Sequence, residues 1–174
     1  RGAIQIERHF GRYFLRKKLG QGGMAEVFLA HKEGPGGAKI ECAVKRILPS
    51  HADTPERITF FLQEMKLAAT LQHRNVVRVH DFGDVDGVYF LELELVRGMD
   101  LKTLCDRLRE RATKHSPRYP GQERGVLPPL VVASVGMQTC EGLTYAHTCR
   151  DHESDMSGVL HRDISNDNLM VTLD

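Results

Sequence analysis

A glycine-rich stretch near the start of the chain limits its possible folds more than any other feature. It reads LGQGGMAEV from Leu19 to Val27 and lies between β-prone runs at 13–20 and 26–31. Because glycine lacks a Cβ, its backbone amides can approach an anion closely and adopt φ values that other residues avoid. Taken alone, the stretch is compatible with a plain hairpin turn, a dinucleotide-binding fingerprint or a lid over phosphate groups.

The residues that follow the glycines argue against the dinucleotide fingerprint. In that fingerprint the glycines follow a strand and open a helix, whereas here a β-prone run leads directly to the turn-forming sequence GPGG at 34–37. Glu41 lies about 20 residues further on, where the fingerprint has an acidic ribose ligand, but the sequence predicts no helix before it. We therefore expect the glycines to lie in a β-hairpin.

The first half of the chain predicts an antiparallel sheet with one helix. Apolar, β-prone runs indicate five strands, at 13–20, 26–31, 40–47, 76–85 and 88–96. The Asp86-Gly87 pair between the last two runs is typical of a tight hairpin turn. Residues 55–71 instead carry apolar side chains at helical spacing, after Thr54 as the N-cap and Pro55 at the first helical position.

The second half of the chain predicts mainly helix. A short helix is expected at 101–109 and a longer apolar helix at 130–147, followed by a strand-like run at 169–173. Because the pattern changes beyond Gly98, we expect the fold to divide into two lobes there.

Composition excludes several classes of protein. A net charge of +1 gives no strong field for nucleic acid, and no apolar run approaches the roughly 18 residues of a membrane-spanning helix. The cysteines at 42, 105, 140 and 149 form no CxxC pair, and no secretory signal opens the chain. We expect a cytoplasmic protein with no nucleic-acid partner and no membrane segment in this chain.

A second cluster, from His161 to Asn168, reads HRDISNDN and resembles the catalytic loop HRDLxxxxN of protein kinases. Upstream, Cys42 to Lys45 reads CAVK and resembles their VAIK strand, and Glu64 lies in the predicted helix that follows. In this order, and with the glycines, the motifs resemble the protein kinase superfamily over nearly the whole chain from residue 13. The GGM-type glycine loop resembles that of bacterial serine/threonine kinases.

The resemblance implies an α+β fold with two lobes, namely a five-stranded antiparallel small lobe with one αC-type helix and an incomplete, mainly helical large lobe. Residues 1–12 are then an N-terminal extension, 13–96 the small lobe, and 97–174 the hinge with a partial large lobe that ends after the catalytic loop. No DFG or APE motif follows the catalytic loop within the 174 residues. We therefore expect little or no kinase activity from residues 1–174 alone.

The resemblance also implies roles for five catalytic positions. Asp163 would accept or orient the proton of the substrate hydroxyl, and Asn168 would bring its amide oxygen to Mg²⁺. Lys45 would pair with the α- and β-phosphates of ATP and would be oriented by an ion pair with Glu64. Ser165 stands where serine/threonine kinases usually carry a lysine, so this position supplies no cation to the γ-phosphate.

The nucleotide site that the resemblance implies uses both halves of the chain. The glycines would cover the phosphates, and apolar side chains would cover and sandwich the adenine ring. Glu94 and Val96 would offer main-chain hydrogen bonds in the hinge, with Leu93 at the gatekeeper position and Asp100 near the ribose. The expected nucleotide-binding residues are Leu19, Gly20, Gly22, Gly23, Val27, Ala43, Lys45, Glu94, Val96, Asp100 and Met170.

The function implied by the resemblance is transfer of the γ-phosphate of ATP to serine or threonine hydroxyls of a protein substrate. Arg162 would receive a phosphorylated activation loop, so we expect an activating kinase or autophosphorylation. One alternative is an ATP-binding pseudokinase or scaffold module, against which the complete set of catalytic residues argues. Another is a small-molecule phosphotransferase, which usually has glycine or asparagine at the position of Arg162. Ser165 leaves the preference between serine/threonine and tyrosine open.

Overall fold

The computed structural model of the chain describes residues 8–23, 25–48, 55–114, 126–149 and 158–172. These residues belong to two compact units, one containing the residues up to Leu95 and the other the residues from Val96 onward. Within the described ranges, no helix is long and apolar enough to cross a lipid bilayer.

The first unit is built on a six-stranded antiparallel sheet with the spatial order β1-β2-β3-β4-β6-β5. The strands are β1 (Arg8–Phe10), β2 (Tyr13–Gln21), β3 (Ala25–Glu33), β4 (Lys39–Ile47), β5 (Val79–Val85) and β6 (Val88–Leu93). All five predicted strands are present, but the sheet has one strand more than predicted because residues 8–10 pair with β2. A run of three residues is too short to give a recognisable alternation in the sequence.

A tight turn and an apolar side chain hold the extra strand in place. Gly11 in the β1–β2 turn has a φ of 55°, a left-handed conformation for which two-residue hairpin turns favour glycine. A Cβ at Gly11 would lie 2.8 Å from Cγ2 of Val85, so the turn also packs closely against β5. Phe10 is buried in the core. Residues 8–12 of the predicted N-terminal extension are therefore built into the first unit.

One face of the sheet carries the hydrophobic core of the first unit. Side chains alternate between the two faces along each strand, so only every second residue contributes. The buried members of this core are Phe10, Tyr13, Leu15, Ala30, Cys42, Val44 and Phe90. The rings of Phe10 and Tyr13 meet the ring of Phe90 edge to face, with centroids 5.7 and 5.2 Å apart, which is a favourable arrangement for aromatic pairs.

Helix α1 (Pro55–Thr70) lies in the first unit, where the sequence predicted it. Met65, a member of its predicted apolar stripe, is buried, and the helix packs against β5. The predicted N-cap Thr54 lies outside the described residues.

The β5–β6 hairpin has the turn that its sequence predicted. Asp86 and Gly87 have φ values of 52° and 77°, as expected for a two-residue turn with both residues left-handed. The hairpin is shorter than predicted, since β5 begins at Val79 rather than at 76 and β6 ends at Leu93 rather than at 96. The apolar residues that flank these strands belong to connections that leave the sheet, where their hydrophobicity gives no sign of the boundary.

The second unit contains α2 (Leu101–Lys114), α3 (Pro129–Thr148) and an antiparallel pair of short strands, β7 (Gly98–Asp100) and β8 (Met170–Thr172). The two predicted helices and the predicted final strand are present, and α2 extends five residues beyond its predicted end at 109. Strand β7 was not predicted, because three residues reading GMD carry no β-prone pattern.

Gly98 marks a close approach between β7 and β8, where it pairs with Thr172. A Cβ at this position would lie 2.1 Å from the carbonyl oxygen of Val171, so only glycine permits the contact. We expect Gly98→Ala to lower the free energy of unfolding by about 2 kcal/mol, as overpacking typically costs about 1–3 kcal/mol. Urea unfolding followed by circular dichroism measures this loss.

The matched control for this prediction is Gly136→Ala in α3. No atom of the described residues lies within 4 Å of a Cβ built at Gly136, and alanine is the better helix former by about 1 kcal/mol. The control is therefore expected to be neutral or slightly stabilising, and equal destabilisation by both substitutions would contradict the prediction.

Candidate active site

The glycine-rich stretch forms the hairpin between β2 and β3. The amide of Gly22 donates to the carbonyl oxygen of Ala25 at 2.9 Å, and the chain then continues as an antiparallel strand rather than a helix. A dinucleotide fingerprint requires a helix at this point, so the structure excludes it. A hairpin turn and a lid over phosphate groups both remain compatible with this geometry.

The three glycines predicted to face phosphate have open space where a side chain would lie. No heavy atom of the described residues lies within 4 Å of a Cβ built at Gly20, Gly22 or Gly23, and none of the three has a positive φ. Neither packing nor backbone conformation therefore requires glycine here, and the free space fits a role in covering an anion. Leu19 is the extra residue of a β-bulge in β2, and its side chain is half exposed.

Four side chains predicted to line the nucleotide site share one face of the sheet. Lys45 of β4 lies opposite Val27 of β3, and Ala43 of β4 lies opposite Leu93 of β6. Because side chains alternate along a strand, these four residues all project from the face opposite to the hydrophobic core. The first unit therefore brings the predicted base-covering residues and the predicted phosphate-binding lysine together.

Glu64 lies in the helix that packs against β5, as the sequence predicted. Its backbone belongs to the described part of the chain, but its side chain lies outside it. The predicted ion pair between Glu64 and Lys45 stays a prediction.

The main-chain amide of Glu94, the first residue after β6, is hydrogen-bonded to the residue that precedes β5. This amide donates to the carbonyl oxygen of Arg78 at 2.9 Å, and the Glu94 carboxylate accepts the Arg78 amide at 2.8 Å. The Glu94 amide is therefore already occupied, and the predicted main-chain contact of this residue with adenine stays a prediction. Val96, the second predicted hinge residue, belongs to the second unit and is half-buried.

The second unit brings Asp163 and Asn168 together in the loop before β8. Nδ2 of Asn168 donates to the carboxylate Oδ2 of Asp163 and to its main-chain oxygen, each at 2.9 Å. A carboxylate only accepts hydrogen bonds, so the NH₂ group of Asn168 faces Asp163 and its amide oxygen faces away from it. The main-chain oxygen of Ser165 accepts the Asn168 amide at 3.0 Å, which closes the loop. The predicted contact of the Asn168 amide oxygen with Mg²⁺ stays a prediction.

The residue before Asp163 has an uncommon backbone conformation. Arg162 has a φ of 62°, in the left-handed region that residues with a side chain rarely adopt. The chain turns here so that the Asp163 amide donates to Nδ1 of His161 at 3.3 Å. Conformations of this kind cost about 1 kcal/mol or more and cluster at functional sites, which fits a role of this turn in orienting Asp163.

Main-chain hydrogen bonds fasten the start of α2 to the same loop. The amide of Leu101 donates to the oxygen of Leu169 at 2.8 Å, and the amide of Lys102 donates to the oxygen of Asn166 at 3.1 Å. The first amides of a helix have no partner within it, so the loop supplies two of the acceptors that α2 needs. An exposed ion pair between Lys102 and Asp167, 3.2 Å apart, joins the same two elements.

Asp100, the predicted ribose ligand, caps α2. Its Oδ1 accepts the amide of Thr103 at 2.7 Å and its Oδ2 accepts the Thr103 hydroxyl at 2.8 Å. The backbone hydrogen bond from Thr103 lowers the pKa of Asp100. Asp100 also lies opposite Met170 in the β7–β8 pair, so the structure brings these two predicted nucleotide-binding residues together.

The core face of the sheet in the first unit holds a buried carboxylate that the sequence analysis did not single out. Glu92 is 1% exposed and accepts the Tyr13 hydroxyl at 2.7 Å and Nζ of Lys32 at 2.6 and 2.8 Å. Nη2 of Arg12 lies 3.3 Å from Glu92 and also pairs with Asp81. In the sequence, the only signal was an acidic residue at a core-facing position of an apolar strand.

The partners of Glu92 decide its charge. Burial alone would raise its pKa, but the hydrogen bonds from Lys32 and Tyr13 and the charge of Arg12 outweigh burial, and the pKa is lowered. Burial and the hydrogen bond to Glu92 raise the pKa of Tyr13. At neutral pH, Glu92 is therefore a carboxylate and Tyr13 a neutral hydroxyl donor.

Known proteins similar to this chain are kinases. The model of the protein kinase domain family matches residues 13–174. The tyrosine-protein kinase MasK of Myxococcus xanthus is 33% identical over 171 residues, which cover 98% of this chain and 25% of MasK. The serine/threonine-protein kinase PknH of Mycobacterium bovis is 32% identical over 165 residues, covering 95% of this chain and 23% of PknH. The serine/threonine-protein kinase PrkC of Bacillus subtilis is 29% identical over 165 residues, covering 95% and 21%.

A solved structure shares the fold of the chain. The kinase domain of PknI from Mycobacterium tuberculosis, solved as a double mutant, gives a TM-score of 0.73 at 27% identity and covers 99% of this chain. The predicted fold class is thereby confirmed. The chain spans 58% of that solved domain and about a quarter of the length of the curated relatives it matches.

Proposed function

This chain belongs to the protein kinase domain family, and we propose that the whole protein transfers the γ-phosphoryl group of ATP to serine or threonine hydroxyls of protein substrates. The family match and the kinase relatives support the phosphorylation of proteins as the general activity. ATP as the donor, Mg²⁺ as the metal and the chosen hydroxyl are the finer parts of the proposal.

The arrangement of Asp163 and Asn168 is the observation that carries the proposal. Phosphoryl transfer needs a group that orients the attacking hydroxyl and a ligand that holds a metal ion against the phosphates. Asn168 donates to the Asp163 carboxylate at 2.9 Å, so it holds that carboxylate in place while its own oxygen faces away. A carboxylate and an amide oxygen fixed side by side are suited to these two tasks.

The first unit would supply the groups that hold the phosphates. Lys45 projects from the same face as Val27 and Ala43, so a base covered by those two side chains would leave its phosphates near the lysine. The hairpin at Gly22 and Gly23 would cover the phosphates, since open space there replaces side chains. Bound Mg²⁺ would neutralise charge on the phosphates. Asp163 would then hold the substrate hydroxyl and take its proton.

The choice of acceptor hydroxyl has two candidates. PknH and PrkC are named serine/threonine kinases, whereas MasK, at 33% identity, is named a tyrosine kinase. Ser165 is neutral where serine/threonine kinases usually carry a lysine, so the loop does not decide between the two. We propose serine or threonine as the acceptor, and transfer to tyrosine is the second candidate.

Phosphoamino-acid analysis of the whole protein tests the proposal. The protein is incubated with γ-labelled ATP and Mg²⁺, alone and with casein, so that autophosphorylation and transfer to a substrate are both measured. Labelled phosphoserine or phosphothreonine supports the proposal, and phosphotyrosine alone favours the second candidate. Binding of ATP without any transfer contradicts both and favours an ATP-binding scaffold.

Lys45→Met is expected to lower kcat/KM of the whole protein by about 10²-fold. The substitution removes the charge that would bind phosphate oxygens, and loss of one such group in an active site typically costs about 10²–10³-fold. Initial rates at several ATP concentrations measure the effect. Lys39→Met, an exposed lysine on the same strand, is the matched control and is expected to change kcat/KM by less than about twofold. Equal losses in both variants would contradict the role of Lys45.

A further inference from the structure

Arg12 connects three strands of the first unit. Its guanidinium pairs with Asp81 of β5, lies 3.3 Å from Oε2 of Glu92 in β6, and donates to the hydroxyl of Tyr13 in β2 at 2.9 Å. A guanidinium has five donors in a rigid, planar fork. Nη2 makes all three of these contacts, and Nε also donates to the Tyr13 hydroxyl at 3.1 Å, so the guanidinium ties two neighbouring strands to Tyr13.

The two carboxylates that Arg12 holds lie beside a β-bulge. The register of β5 and β6 shifts by one residue between the pair Val79–Leu93 and the pair Asp81–Glu92. A bulge interrupts the ladder of main-chain hydrogen bonds and leaves a residue unpaired. The first pair beyond this interruption is Asp81 and Glu92, and Arg12 contacts both. These side-chain contacts therefore restrain the two strands where the main-chain ladder is interrupted.

The other side of the bulge is the strand end that the proposed function assigns to the nucleotide base. Leu93 lies opposite Ala43, and Glu94 donates to Arg78 immediately beyond. Glu92 and Leu93 are neighbours in the chain whose side chains project to opposite faces. A displacement of Glu92 toward solvent, which a buried carboxylate without enough partners would favour, therefore moves Leu93 as well.

Arg12 lies outside the segment that matches the family. The match begins at Tyr13, whereas Arg12 belongs to the turn after β1. The same segment contributes Phe10 to the core and places Gly11 in close contact with Val85 of β5. The segment 8–12 thus contacts both strands of the β5–β6 hairpin on the face opposite to Lys45.

We propose that Arg12, acting through Glu92 and Asp81, is a positioning residue that holds the end of β6 in place for nucleotide binding. The contacts of Arg12 lie on the core face of the sheet, opposite to Lys45, so it would act on the affinity for ATP rather than on the chemical step. The inference rests on the proposed function, which assigns Leu93 and Glu94 to the base.

Arg12→Ala in the whole protein tests the inference with two readouts. Amide hydrogen exchange of residues 91–94 in the nucleotide-free protein is expected to be at least about tenfold faster than in the wild type, with α3 unchanged, because the loss is local. The Kd for MgATP, measured by calorimetric titration, is expected to rise about three- to tenfold. The kcat at saturating ATP is expected to change by less than about twofold, since uniform binding and not the transition state is affected.

Two further variants separate bridging from charge. Arg16→Ala removes another arginine of the sheet, one paired with Glu41 at 3.4 Å, and is expected to change neither readout. Arg12→Lys keeps the charge but loses the separate Nε contact to Tyr13 and the planar shape of the guanidinium, so its exchange rates and Kd are expected to lie between those of the wild type and Arg12→Ala.

Unchanged exchange at 91–94 in Arg12→Ala would overturn the inference. Exchange that rises equally in α3 would also overturn it, because a general loss of stability would then explain the effect. A wild-type protein that binds ATP but transfers no phosphate would contradict the proposed function alone, since exchange and nucleotide affinity would still decide the role of Arg12.

Discussion

Asp163→Asn is expected to lower kcat of the whole protein by about 10³-fold, within the range of about 10²–10⁴-fold that a positioned general base contributes. Asparagine has nearly the size of aspartate and can still accept the hydrogen bond from Asn168, so the loop keeps its shape. It cannot accept a proton from the substrate hydroxyl, and it carries no negative charge. Initial rates of phosphate transfer at saturating ATP measure the loss.

Asp167→Asn is the matched control, with the same change of atoms in the same loop. Asp167 pairs with Lys102 at 3.2 Å and both side chains are about 60% exposed, and exposed ion pairs contribute little. The control is expected to retain kcat within about twofold. If Asp163→Asn kept more than about a tenth of the wild-type kcat, or if both variants lost the same amount, the catalytic role of Asp163 would be wrong.

Lys32→Met is expected to lower the free energy of unfolding by about 3 kcal/mol. Lys32 contacts both oxygens of the buried Glu92 carboxylate, at 2.6 and 2.8 Å. Removing one partner of a buried ion pair typically costs about 3–5 kcal/mol, and the lower end applies because Arg12 and Tyr13 still contact Glu92. Urea unfolding at neutral pH, followed by far-ultraviolet circular dichroism, measures the loss.

Two controls separate the loss of the charge partner from the loss of packing. Adding Glu92→Met to Lys32→Met removes the unpaired carboxylate, and replacing a buried pair by apolar side chains is often neutral. The double variant is therefore expected to regain more than half of the lost stability. Arg16→Met removes an exposed ion pair and is expected to cost less than about 1 kcal/mol. A double variant less stable than Lys32→Met would show that the side chains matter for packing alone.

The pH dependence of stability is an independent test of the contacts that Glu92 makes. The pKa of Glu92 is lower in the folded chain than its ordinary value, so its ionised form is favoured by folding. Its contribution is complete above the unfolded pKa, about 4.3, and is lost as the pH falls through the folded pKa. The difference in unfolding free energy between the wild type and Glu92→Gln is therefore expected to shrink below about pH 4.

The motifs of the candidate site could be predicted because each has a local cause. Glycines between two β-prone runs specify a hairpin, and the alternation around Lys45 places its side chain on one face of a strand whatever the rest of the fold does. The contact between Asp163 and Asn168 spans five residues of one loop, so their spacing in the sequence already restricts their separation. The sequence therefore predicts features that depend on residues only a few positions apart.

The features that the sequence did not reveal depend on contacts between distant residues. Strands β1 and β7 have three residues each and exist because a partner strand is present. Glu92 has the polarity of a surface residue, and only its partners Tyr13 and Lys32, 79 and 60 residues away along the chain, make its burial possible. The resemblance placed Asp100 near the ribose. In the structure Asp100 caps α2, because the helix begins at the next residue.

The burial of Cys42 on the core face determines how this cysteine reacts with oxidants. Cys42 precedes Lys45 by three residues on β4, and burial, together with the nearby Glu92 carboxylate, raises the pKa of its thiol to about 11. The thiolate is the form that reacts with peroxides and alkylating reagents, so at neutral pH Cys42 is almost entirely inert. Cys140 on α3 is exposed, and mild oxidation or thiol labelling of the chain would modify it while leaving the strand that carries Lys45 intact.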